Sequence, residues 1–179
     1  MIEFALDPAL RTTLLGAGAL LFGVSAIHKL RDPAAFARSL DAYELVPPAA
    51  VRPLAALVSL TEIAIAAALL VPATSIPAAL AGGSLLSVYS AAIAINLLRG
   101  RRHIDCGCLG PTARRPIDGG LLLRNGLLIA LAISAAIPAT SRALVWPDAA
   151  TVLGGVAVLV ITYAAFEQVA LEDRAWKTR

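Results

Sequence analysis

Between Ile63 and Leu98 the chain carries no Asp, Glu, Lys, Arg or His. That run is too long for one core helix. It suits two membrane passes joined by a short turn. Pro72 and Pro77 bracket the turn, in the stretch PATSIP. The whole chain fits this reading. It is 59% hydrophobic and 15% charged, whereas a soluble domain carries about 25% charge. Backbone groups find no water inside a bilayer, so each pass is expected to be helical.

The fold expected is all-α, a polytopic transmembrane bundle of five helices. Its 179 residues form one integral membrane domain. The spans fall at about 12–28, 51–71, 76–98, 120–137 and 149–170, and residues 99–119 form a polar loop. Glu3 and Asp7 precede the first positive charge, Arg11, so the amino terminus does not read as a signal peptide. The first segment is read as a retained helix, with His28 and Lys29 either snorkelling to the interface or, together with Ser25, closing a polar pocket around the loop.

Between the first two spans, Asp32 is placed to cap a helix that has Pro33 at its first position. Phe36, Leu40 and Tyr43 form an apolar stripe, so a short interfacial helix is expected there, ending before Pro47 and Pro48. Gly16, Gly18, Gly23, Gly82, Gly83, Gly154 and Gly155 allow close helix contacts.

The basic residues set the orientation. In the five-helix arrangement thirteen of the fifteen Lys and Arg lie on one side, and only Arg11 and Arg142 lie on the other. The positive-inside rule then places the amino terminus outside and the carboxyl terminus in the cytoplasm of an inner or plasma membrane. It puts the polar loop at the cytoplasmic face. Arg99, Arg101 and Arg102 are a topology signal and not a nucleic-acid footprint; the expected surroundings are lipid.

The polar loop holds both cysteines of the chain, Cys106 and Cys108, in HIDCGCLG. Thiols at i and i+2 do not share a helix face, but Gly107 relaxes the backbone between them. Gly110 and Pro111 favour a turn. A Cys-Gly-Cys disulfide is geometrically accessible, and strain would make it easy to reduce. The nearby arginines favour a thiolate, Asp105 opposes it, and His103 is a candidate for proton transfer. Two other readings stay open. The cysteines are either small loop residues, or part of a soft-metal site. A closed zinc site is not expected, because Cys106, Cys108 and His103 supply three ligands and Asp105 is a poor fourth.

Glu62 stands within the second span, where a charge is costly unless paired, solvated or neutralised. It reads as a proton handler, a quinone contact or a partner for another helix. Arg124 and Asn125, at the entrance to the fourth span, are candidates for the same pocket. Arg124 equally fits a snorkelling anchor. A quinone is the one candidate cofactor, and no residue identifies it by itself.

Several stretches together resemble the methylamine-utilisation MauE proteins, within the wider DoxX-like membrane group. They are GVSAIHKLRDPAAF (23–36), YELVPP (43–48), Glu62, LLRGRRHIDCGCLG (97–110) and LLLRNG (121–126). The family's usual Cys-Gly-Cys-Phe-Gly stands here as Cys-Gly-Cys-Leu-Gly, so Leu109 keeps an apolar side chain without a ring. Residues 140–179 add little to the likeness. The resemblance implies an integral membrane protein concerned with maturation, processing or export of the disulfide-rich methylamine dehydrogenase small subunit. It implies thioredoxin-like partners and makes Cys106 and Cys108 the redox dithiol. The leading expectation is a thiol–disulfide oxidoreductase that serves a disulfide-containing client. The alternatives are a non-enzymatic assembly or export factor, and a small transporter or metal-handling protein.

Overall fold

The computed structural model describes residues 5–107 and 116–177. The described chain is helical, with six helices in the order α1 (Pro8–Arg31), α2 (Pro33–Ala42), α3 (Pro48–Leu69), α4 (Ser75–Leu98), α5 (Gly119–Ala135) and α6 (Trp146–Lys177). A 3-10 turn at Pro72–Thr74 joins α3 to α4.

Local chemistry sets the helix starts. Asp7 accepts from the Ala9 amide at 2.8 Å, with Pro8 opening α1. Asp32 does the same for Ala35, and Pro33 opens the short helix after the first span. Asp118 accepts from Leu121 to start α5. Helices α1, α3 and α4, and the Trp146–Phe166 part of α6, are long and apolar enough to cross a bilayer. Helix α5 is shorter, at 17 residues, or about 26 Å against a hydrocarbon core of roughly 30 Å. The chain is therefore a multi-pass membrane protein with four full-length passes and one short apolar helix.

Helices α1, α3, α4 and α5 form the bundle, each packed against two neighbours in the order α1–α3–α4–α5, with α5 returning to α1. Helix α6 lies outside, along α1. Glycine sets two of the approaches. A Cβ on Gly82 would stand 2.8 Å from the Phe22 ring, and one on Gly155 would stand 2.7 Å from the Thr13 methyl. Small residues at these crossings replace the hydrophobic drive that lipid does not supply. Outward faces carry Leu57, Leu60, Val88, Leu123 and Leu153, all well exposed. On a soluble protein that much apolar surface would drive association; on a membrane bundle it meets lipid.

The core divides into two clusters. One, around Phe22, Ile65, Leu69, Ala79 and Ala135, fills the half nearer the α3–α4 turn. The other, around Tyr43, Ile93, Ile104, Ile117 and Leu121, fills the end that carries the polar loop. Lys29 corrects the snorkelling expectation, since it points inward and is 3% exposed.

The opposite end is tied by polar contacts. Arg11 donates to Ser75 Oγ at 2.8 Å and to the Ala135 carbonyl at 3.1 Å, joining α1, α4 and α5. Arg142 bridges Asp7, at 3.0 Å, and Asp148, at 2.8 Å, so it clasps the starts of α1 and α6. The Ala9 amide, and after it Arg142, hold the Asp7 carboxyl below the usual carboxylate range, outweighing the opposing effect of burial. A lowered folded value stabilises the fold above the ordinary carboxylate pKa of about 3.9 and is lost as pH falls through the folded value. Arg142→Gln should therefore lower the melting temperature slightly at pH 7. That difference should shrink toward zero below about pH 4, as read by thermal unfolding across a pH series.

Candidate functional site

Chain closure positions the cysteine segment. Helix α4 ends at Leu98, and the Ile117 amide donates to the Ile104 carbonyl at 2.9 Å. Asp105 pairs with Pro116 across the same neck. Residues 104–105 and 116–117 thus form a closed neck at the end of the bundle. Ile104 and Ile117 are buried there, and half-buried Cys106 packs on their cluster. Asp105 accepts from the Gly107 amide at 3.4 Å. Cys108 lies outside the described residues. His103 is exposed three residues before Cys106.

Helix α2 forms the wall beside this turn. Gly107 has φ +71°, a left-handed conformation that favours glycine. A Cβ there would come within 3.0 Å of Ser39 Cβ and 3.6 Å of the Phe36 ring. The exit from α2 is fixed to α4: Asn96 donates to the Tyr43 carbonyl at 3.2 Å, and Arg101 donates to Glu44 at 2.5 Å. Gly107→Ala should cost about 1–2 kcal/mol from the backbone alone, plus displacement of Ser39. We expect a lower melting temperature and a changed alkylation rate at Cys106. Unchanged values in both would show that α2 does not confine the turn.

Directly inward from α2 lies a polar layer. Lys29 and Glu62 form a buried ion pair between α1 and α3, with Glu62 1% exposed. Glu62 Oε1 also accepts from the Tyr89 hydroxyl at 2.8 Å and from Ser25 at 3.2 Å. Lys29 donates to Ser25 at 2.9 Å. The ammonium stands 5.0 Å from the centre of the Phe36 ring and 5.3 Å from that of Tyr89, so it is held by cation–π contacts as well. Glu62 Oε2 is buried and has no hydrogen-bond partner among the described residues.

Arg124 and Asn125 extend the layer on α5. Arg124 donates to Asn125 Oδ1 at 2.9 Å and to the Tyr163 hydroxyl of α6 at 3.3 Å. Asn125 is 1% exposed, and its Nδ2 likewise finds no partner among the described residues.

Chain contiguity connects the two regions. Phe36 holds the ammonium of Lys29 against its ring, and the same ring is what a Cβ at Gly107 would meet. Of the residues picked out from sequence, Cys106 sits on the loop neck with exposed His103 upstream, and Glu62, Arg124 and Asn125 are all buried inside the bundle. Sequence reasoning missed Tyr89, whereas Ser25 and Lys29, read as able to close a polar pocket, do meet inside the bundle, with Glu62 as their partner. The available signal for Lys29 was Ser25 four residues earlier, on the same helix face. Among the described residues no cluster of three or more His, Cys, Asp or Glu could hold a metal ion.

The family model for methylamine utilisation protein MauE matches residues 7–138. The methylamine utilization protein MauE of Paracoccus denitrificans is 36% identical over 167 residues, covering 92% of this chain and 90% of that protein. The protein of the same description from Methylophilus methylotrophus is 36% identical over 153 residues, covering 82% and 78%. That from Paracoccus versutus is 35% identical over 130 residues, covering 73% and 70%. No solved structure matches the chain. The family match takes in α1 to α5, with the polar layer and the cysteine loop, and the chain belongs to the methylamine utilisation protein MauE family.

Proposed function

We propose that this chain is a membrane thiol–disulfide redox protein of methylamine utilisation. Cys106 and Cys108 cycle between dithiol and disulfide. A thioredoxin-like protein is the exchange partner, and the methylamine dehydrogenase small subunit is the client whose disulfides are formed or matured. The observation that carries this reading is the mounting of Cys106. It is half-buried on the closed neck of a loop, next to a left-handed Gly107 pressed against α2. Such a support holds Cys106 in place while leaving it partly exposed.

Exchange proceeds by thiolate attack on a disulfide sulfur. A mixed disulfide forms, and the second cysteine then resolves it. Protons released by the thiols pass to water at the loop, with His103, exposed three residues before Cys106, a candidate carrier. The protein lies in the inner or plasma membrane, with its amino terminus outside and its carboxyl terminus cytoplasmic. The basic residues support that orientation. Arg11 and Arg142 both lie at the end opposite the cysteine loop.

The test is a trapping experiment in native membranes. With one cysteine left, the mixed disulfide cannot be resolved. Cys106→Ser or Cys108→Ser should accumulate a partner adduct that dithiothreitol dissolves. Absence of any adduct from both single variants would remove the exchange mechanism. An impermeant thiol reagent, applied to intact cells after reduction, checks the sidedness. Labelling only after permeabilisation supports a cytoplasmic loop, and labelling of intact cells reverses the orientation.

A further inference from the structure

We propose that the polar layer inside the bundle binds the head group of a membrane quinol, engaged by Glu62 Oε2 on one edge and Asn125 Nδ2 on the other. Both atoms belong to side chains that are 1% exposed, and neither has a partner among the described residues. Buried polar atoms are nearly always satisfied, by protein, water or ligand. Two orphans inside one bundle call for an occupant.

Their placement is complementary. Glu62 lies on α3 and Asn125 on α5, and these two helices are separated by α1 and α4 around the bundle. A Cβ on Gly82 of α4 would meet Ile65 of α3 at 3.5 Å, and one on Gly83 would meet Ala132 of α5 at 3.6 Å. These contacts set a common level. Counting toward the cysteine end, Glu62 is one turn below Ile65 and Asn125 is two turns below Ala132. Gly83 is itself one residue nearer that end than Gly82, so at about 1.5 Å per residue the depths differ by about 7–8 Å. The two groups thus lie on diagonally placed helices, offset in depth by somewhat more than one turn.

Their chemistry narrows the ligand. Glu62 Oε2, in a carboxylate paired with Lys29, requires a donor, and Asn125 Nδ2 requires an acceptor. A cation would satisfy Glu62 but meet Lys29; an anion would meet Glu62 itself. A lone carbonyl would leave Oε2 unsatisfied. A neutral ring with hydroxyls at opposite positions supplies both needs, one hydroxyl donating to Oε2 and the other accepting from Nδ2. The aromatic rings of Tyr89 and Phe36, already gathered at Lys29, give such a ring apolar company. A site between bundle helices is also where ligands of this size are commonly held.

The role of the ligand rests on the thiol reading given above, whereas its binding does not. Two thiols and a quinone give a disulfide and a quinol. Two S–H bonds break and one S–S bond forms, and two electrons and two protons end on the ring oxygens. The quinol is the form that matches the orphan pair, so binding should favour it over the quinone.

The experiment uses the full chain in lipid nanodiscs, loaded anaerobically with decylubiquinol, gel-filtered, extracted and quantified against empty nanodiscs. We expect close to one quinol per chain. Asn125→Asp keeps Oδ1 for Arg124 but removes the Nδ2 donor, so retention should fall at least tenfold while helicity and melting temperature hold. The Cys106→Ser/Cys108→Ser double variant should bind as the wild type does. Binding there, combined with failure of thiol exchange in the wild type, would sustain this site and overturn the thiol reading. Retention no greater than in empty nanodiscs would mean that water alone fills the layer and would overturn the proposal. Equal retention by Asn125→Asp and wild type would overturn it too.

Discussion

Replacing Lys29 by methionine should lower the unfolding free energy by about 3–5 kcal/mol, the usual cost of removing one partner from a buried ion pair. Among the described residues, the variant leaves Glu62, 1% exposed, with Ser25 and Tyr89 alone to satisfy it. Glu62→Leu should cost a similar amount, because it leaves the ammonium between two aromatic rings without its counter-charge. The double variant, Lys29→Met with Glu62→Leu, should recover most of the loss. Buried pairs are often replaceable by apolar groups of similar volume, since the desolvation penalty disappears with the charges. Denaturant unfolding in detergent micelles would measure all three. Strict additivity of the two single losses would show that the charges do not act as a pair. Lys29→Met should also alter Cys106 alkylation, because Phe36 loses the cation that it packs against.

Serine at Cys106 or Cys108 should bring thiol exchange with a thioredoxin-like protein to the uncatalysed rate. In the proposed exchange the electron transfer rests on two sulfur atoms, and a hydroxyl neither forms the mixed disulfide nor resolves it. The fold should hardly respond at position 106. Cys106 is half-buried at the edge of its cluster, and serine is almost the same size. Rates of exchange against melting temperature would separate the two effects. Retained exchange in either variant would return the cysteines to a structural role.

The apolar runs and the capping residues were enough to read the helical membrane fold, because both act locally. Asp32 before Pro33 announced α2, and the stripe of Phe36, Leu40 and Tyr43 marked its inner face; Tyr43 is buried as that stripe requires. Helix α4 was harder. It is apolar all round, so no periodicity separated its lipid face from its core face, and Tyr89 gave no sign that it reaches Glu62. The choice between the two readings of Lys29, snorkelling or pocket, was open for a related reason. A lysine at a helix end can snorkel or turn inward, and its partner lies 33 residues away. The Arg142 clasp spans 135 residues to Asp7 and leaves no periodic trace. Glu62, Arg124 and Asn125 were legible as polar groups in apolar surroundings. Their assembly into one layer depended on helix packing.

The central claim is that Cys106 and Cys108 exchange electrons as a pair. The most direct measurement is a redox titration of the purified chain in glutathione buffers, with acid quench, alkylation and mass analysis of both cysteines. The account predicts one two-electron transition, in which both cysteines lose alkylation together and an internal disulfide replaces them. Two thiols alkylated at every poise, or glutathionylated independently with no internal disulfide, would contradict it.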